Sequence, residues 1–315
     1  MLSSTADHVY WLGRYAERAE TLALELDVQY RLSLLPHAAD GGEAGWARTL
    51  TTLGQDAGYL RRHDRVEPHR VIEFLAFDRE NPSSIVSCLR AARENARAVR
   101  GALTSEIWET YNSTWLEARA LTPSRFTASH IAEFLEWTKQ RAHLARGVVL
   151  GAMLRDEAYH FMQLGGFLER TDGVARLLQA RLAQSSGALD APEGENFHPW
   201  SVLLRALSAF ETYRRVSRDR VTPLRVCEFL VFRAEVPRSL HRSMKQVYEN
   251  LCAVANAQSG ETERRAGQLY SVLRFGRVES AAPGGLEALL GELILRVADL
   301  SDRIGEDFLG HHSTG

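Results

Sequence analysis

Residues 70–85, RVIEFLAFDRENPSSI, align with residues 225–240, RVCEFLVFRAEVPRSL, at a shift of 155, and nine of the sixteen positions are identical. Ordinary composition gives about one match by chance. A second block aligns at a shift of 152, with His8, Leu12, Gly13, Glu17, Arg18, Ala23 and Leu26 against His160, Leu164, Gly165, Glu169, Arg170, Ala175 and Leu178. Trp46 and Tyr59 match Trp200 and Tyr213 at a shift of 154. The shift drifts by only three residues along the chain, so the order of elements is kept. Such a period is far too long for a stacked solenoid unit. The expectation is a duplicated helical body, with a first copy over 1–150 and a second over 157–310. The junction between them reads as helix, so the copies are expected to pack intimately about a pseudo-twofold axis.

Each copy reads as all-α. Tyr10, Leu12, Tyr15, Ala19, Leu22, Leu26 and Tyr30 recur at three- and four-residue steps over 8–34, which is a helical stripe. Asp7 or Thr5 is placed to cap its start. Further helical patterns cover 47–62 and 69–79. Asn81-Pro82 suits the opening of a helix that reaches about residue 103. Helices over 105–119 and 128–150 complete the copy. The second copy repeats the order with 157–184, 200–214, 224–234, 237–257, 261–272 and 285–309. About 10–13 helices are predicted. Residues 37–46 and 185–199 read as loops, and 311–315 as a frayed tail.

Bulk properties exclude several classes. The net charge is −2, so no general attraction to nucleic acid or anionic membrane is expected. Three cysteines, Cys88, Cys227 and Cys252, lack CxxC spacing, which argues against a disulfide framework or a cysteine zinc site. There is neither a signal-peptide pattern at the N-terminus nor an apolar run of membrane-spanning length. A cytoplasmic protein is the expectation. No Walker, dinucleotide-binding or nucleophile-elbow motif occurs. No cofactor and no metal is expected.

Three sets of residues carry chemistry. The first is Gly13…Glu17-Arg18, repeated as Gly165…Glu169-Arg170. Glycine inside a helix costs about 1 kcal/mol relative to alanine, so its place in both copies points to close helix packing. Glu17 and Arg18 are adjacent and project about 100° apart, so they are not natural partners of each other. They either face a shared cleft as carboxylate and guanidinium, or form ion networks that bridge the copies. The second set is Arg70, Glu73, Phe77, Glu80 and Pro82, repeated as Arg225, Glu228, Phe232, Glu235 and Pro237. Its glutamates share one stripe with an aromatic, suiting a metal, an amine or a half-exposed face of i,i+3 pairs. The Glu-x-x-His companion of helix-bundle metal sites is missing. The third set occurs in the first copy alone: Arg93, Glu94, Asn95, Arg97 and Arg100, followed by Glu106, Trp108 and Asn112. These arginines suit a carboxylate or phosphate, or else a solvated basic face.

The segments ADHVYWLGRYAERAETLALELDV, EFLAFDRENPSSI, RENARAVRGALTSEIWETYN and RDEAYHFMQLGGFLERTDGVARLL resemble the alpha-E domain family, also called DUF403. Gly166 stands where that family's pattern suggests a basic residue, and Gln163 and His160 where bulkier apolar residues are commoner. The resemblance implies an all-helical protein. It also implies company, since such proteins are commonly encoded beside ATP-grasp and transglutaminase-like proteins. A component of an amide- or peptide-bond forming or modifying system follows, acting with an ATP-grasp ligase on a peptide. On that reading Glu17, Arg18, Glu73 and Glu80 would be catalytic, a glutamate serving as general base. Glu94, Asn95, Arg97, Glu106 and Trp108 would bind substrate, with Glu169, Arg170, Glu228 and Glu235 as structural counterparts. The alternative is a non-catalytic helical scaffold that docks the ligase or a peptide.

Overall fold

A computed structural model describes residues 1–34, 42–121, 128–184, 197–217, 220–277 and 285–310. Fourteen α-helices occur among them, and no strand. In chain order they are α1 Ser3–Ser33, α2 Glu43–Thr52, α3 Asp56–Leu60, α4 Pro68–Ile72, α5 Ile85–Ala98, α6 Ser105–Leu121 and α7 Ala128–Ala152. There follow α8 Glu157–Gln184, α9 Phe197–Ala206, α10 Phe210–Val216, α11 Pro223–Phe232, α12 Leu240–Ala253, α13 Gly260–Phe275 and α14 Gly285–Phe308. The helix count exceeds expectation because two patterns break. The 47–62 run splits into α2 and α3 at Gly54, and the 200–214 run splits into α9 and α10 at Ser208. Gly54 has φ +64° and Ser208 φ +53°, the left-handed conformation that ends a helix. The next amides then donate back, Gln55 to the Leu50 carbonyl and Ala209 to the Leu204 carbonyl, each at 2.8 Å.

Several boundaries move for local reasons. The first helix starts at Ser3 with Leu2 at its N-cap, so neither Thr5 nor Asp7 caps it. Asn81 does not open α5. Its side chain instead donates to the Phe74 carbonyl (3.0 Å) and accepts from the Ser83 amide (3.0 Å). Ser84 takes the cap, accepting from the Ser87 amide, and Ser239 does the same for α12 through the Arg242 amide. The 69–79 pattern is realised as α4 followed by a π-helical turn, Glu73–Phe77. Helix α2 begins inside the segment read as the 37–46 loop. Residues 35–41, most of the 185–199 loop and the 311–315 tail lie outside the described residues.

The two long helices α1 and α8 lie against each other along much of their length. Around α1 sit α5 and α7, with α6 packed on both. Around α8 sit α12 and α14, with α13 packed on both. The short helices α2 and α9 rest on α1 as well. The largest core cluster runs through α1, α8, α12 and α14, and a second joins α1 to α2, α5 and the π turn. Trp46 and Trp200 are both fully buried. The Tyr59 hydroxyl donates to the Arg65 carbonyl and that of Tyr213 to the Arg220 carbonyl, each at 3.1 Å. His8 bonds Asn95, and His160 bonds Asn250, each at 2.8 Å. Among the described residues no helix is long and apolar enough to cross a membrane.

Candidate functional site

The α1–α8 crossing is built on glycine. A methyl at Gly13 would overlap the Met162 carbonyl oxygen, and one at Gly165 would overlap the Tyr10 carbonyl oxygen. Backbone therefore rests on backbone at this point. Four residues further along each helix stand the two Glu-Arg pairs. They exchange partners across the crossing. Arg170 grips Glu17 through two bonds, Nε to Oε1 at 2.7 Å and an Nη to Oε2 at 2.6 Å. Arg18 grips Glu169 in the same way, at 2.6 and 3.0 Å. Arg14 adds a bond to Glu169 at 2.7 Å.

Position 166, which aligns with Arg14 at the 152-residue shift, is glycine, so Glu17 lacks the matching arm. Other arginines replace it. Arg146 of α7 reaches Glu17 at 3.3 Å and also binds Glu20. Arg238, from the turn before α12, reaches Glu17 at 3.5 Å and binds Glu20 too. His143 lies 3.4 Å from Glu20. Five guanidinium groups thus surround three carboxylates.

Burial sets the electrostatics. Glu17 is 4% exposed and Glu20 fully buried. Desolvation alone would raise the Glu20 carboxyl, but the Arg238 charge and the hydrogen bonds from Arg146 and His143 outweigh it and hold the group well below the usual carboxylate range. Burial likewise pushes Glu169 up, and Arg14 and Arg18 bring it down below its ordinary value. Beside Glu17 and Arg146, burial pushes the Tyr111 phenol up to about 12. The void between α1, α7 and α8, lined by Gly13, Glu17, Tyr111, Arg146, Gly166 and Arg170, measures ≈ 60 Å³. That holds a few waters and no substrate.

The other sequence-predicted residues lie elsewhere. Glu73 and Glu80 are exposed, and Glu80 lies 3.6 Å from Arg62. Glu228 is half-buried and Glu235 exposed. Glu94 pairs with its own-helix neighbours Arg93 and Arg97. Asn95 is held by His8 and by the Ala91 carbonyl. Arg93 also covers the Trp108 ring, 5.4 Å from its centroid. Glu106 is exposed at the start of α6, where its own backbone amide and the Thr104 hydroxyl lower its pKa. Among the described residues, no hydrogen bond or ion pair ties these side chains to Glu17, Arg18 or their partners. No three His, Cys, Asp or Glu side chains among the described residues converge as a metal would require.

Sequence reasoning missed Arg146, Arg238 and Glu25. Glu25 lies on α1, 5% exposed, and its Oε1 accepts no hydrogen bond. Burial raises it from 4.5 to about 7, tempered by the Arg181 charge. A carboxyl whose folded pKa is raised holds its proton more tightly in the native state. Its stabilisation is full below the unfolded pKa and is lost as pH rises through the folded value. The shift corresponds to about 3 kcal/mol. Urea titrations at about pH 5 and about pH 8 should therefore show a fall in stability on that order in the wild type. Glu25→Gln should remove most of the fall, and an identical fall in the variant would refute this account of Glu25.

A helical protein in which two Glu-Arg pairs trade partners across a glycine crossing is the class that fold and site define. The chain belongs to the Alpha-E family, described as a predicted alpha-helical domain with a conserved ER motif, whose family model matches residues 1–309. An uncharacterized protein of Mycobacterium bovis is 26% identical over 318 residues, covering 93% of this chain and 35% of the relative. Uncharacterized proteins of two Mycobacterium tuberculosis strains match to the same extent. The chain thus spans about a third of the length of these relatives. No solved structure matches.

Proposed function

We propose that this chain is a non-catalytic docking module of an amide- or peptide-bond forming or modifying system, holding an ATP-grasp ligase or its peptide on a helical scaffold. The observation that carries the reading is that arginines occupy the carboxylates of both Glu-Arg pairs. Glu17 accepts from Arg170, Arg146 and Arg238, and Glu169 from Arg14 and Arg18. Glu17, with four such bonds and 4% exposure, has no lone pair to spare for a substrate proton. The scaffold itself is read as one ancestral bundle written twice. In support, α1 with α5, α6 and α7 answers to α8 with α12, α13 and α14, and the paired Ser, Tyr and His contacts recur. The ligase partner comes from the family resemblance, as does a transglutaminase-like companion. The relatives support a module that works alongside other polypeptide, since about two thirds of their length lies outside the match.

The test is to co-express the chain with an ATP-grasp ligase from the same genome, then follow complex formation by gel filtration and ADP release with candidate peptides. A stable complex is expected, with ADP release per folded molecule unchanged in Glu17→Gln. Failure to associate would refute docking. Lost turnover in a well-folded Glu17→Gln protein would instead make Glu17 a catalytic residue.

A further inference from the structure

Beside the Glu-Arg network, on the side of the α2–α3 turn, opens a cleft of ≈ 290 Å³. Its floor is the α1 face that carries Arg18 and Glu25. Its far wall is α8, with Glu169, Asp172 and Arg176. Gln55 and Ser83 stand at its sides. The charges nearly cancel in pairs. Arg18 lies 2.6 Å from Glu169, and Arg176 lies 2.8 Å from Asp172. Glu25 is left over. It is more than nine-tenths buried, it lines the cleft, and its Oε1 meets no donor. The side chains of Gln55 and Ser83 make no hydrogen bond of their own among the described residues.

A buried carboxylate without a donor is costly unless a ligand supplies one. We infer that this cleft binds a compact molecule carrying one protonated primary amine, its ammonium group seated on Glu25 and within reach of Gln55 and Ser83. An ammonium group offers three donors and one positive charge, which matches a carboxylate oxygen without a donor and two neutral acceptors. A divalent cation fits poorly, because it needs several free oxygen ligands and the other two carboxylates are held by arginines. The cleft volume lies near the lower end of small-molecule sites. This inference is independent of the docking role and of any partner.

The full chain would be titrated with glycinamide, followed by protein NMR shifts and calorimetry, with N-acetylglycinamide as the uncharged control. Saturable one-to-one binding of glycinamide is expected, and none of the acetylated compound. Glu25→Gln should weaken binding at least about tenfold, the loss of one charge-assisted hydrogen bond. Gln55→Ala should weaken it less. Melting curves of each variant keep loss of fold apart from loss of binding, and Glu25→Gln is expected to melt no lower than wild type. Absence of saturable binding, equal affinity in Glu25→Gln, or equal binding of the acetylated control would overturn the proposal.

Discussion

Gly13→Val is expected to yield no cooperatively folded protein at 25 °C, and Gly13→Ala a protein weakened by roughly 3 kcal/mol or more. The first added carbon already overlaps the Met162 carbonyl oxygen. That atom is backbone in the second turn of α8, so no rotamer change relieves the clash. The helices must separate instead. Separation strips packing from the shared core and stretches the Glu17–Arg170 bonds at 2.6 and 2.7 Å. Alanine does gain about 1 kcal/mol of helix propensity over glycine, but overpacking at a backbone contact outweighs that. Gly165→Ala should behave alike, since it meets the Tyr10 carbonyl oxygen. By contrast, nothing lies within 4 Å of a methyl placed at Gly147 or Gly151 on α7, so alanine there should be neutral or stabilising. Urea unfolding of the four variants checks this, and a Gly13→Ala protein as stable as Gly147→Ala would contradict it.

Glu17→Ala is expected to cost about 3–5 kcal/mol, the usual penalty for leaving a buried charge without its partner. Arg170 is 8% exposed, and Glu17 is the carboxylate that holds it. Arg146 and Arg238 keep Glu20 and suffer less. Replacing Glu17 and Arg170 together with methionine should recover much of the loss, because a packed apolar pair needs no desolvation of charge. The same network sets acid behaviour. Glu20 and Glu169 have depressed pKa values, so their stabilisation is present above the unfolded pKa and is lost as pH falls below it. Glu25 acts with the opposite sign at higher pH. Stability should therefore peak near pH 5 on the order of a unit either way, where the depressed pair is ionised and Glu25 still keeps its proton.

Much of this was legible in the residues. Gly13 and Gly165 sit at a cost inside helices, which pointed to close contact, and the 100° between Glu17 and Arg18 ruled them out as mutual partners. Helix type followed from apolar spacing, and helix number was miscounted only where Gly54 and Ser208 turn left-handed. Ser84 took the cap assigned to Asn81 because a side chain that bonds the Phe74 carbonyl is no longer available to a helix end. The rest was not legible for a plain reason. Arg146 and Arg238 lie 126 to 221 residues from the carboxylates they bind, and no spacing rule spans such a distance. Arg238 also aligns with Ser83 at the 155-residue shift, so the match between the two halves of the sequence carries no sign of it. Glu25 aligns with Leu177 and was hidden in the same way.

A double-mutant cycle on Glu17 and Arg170, read by urea unfolding at neutral pH, puts the partner exchange to direct measurement. If the two helices are locked by that exchange, the losses of the two single alanine variants together exceed that of the double by about 2–3 kcal/mol. Losses that simply add, within about 0.5 kcal/mol, would mean that these side chains do not meet and that the Glu-Arg motif serves some other end.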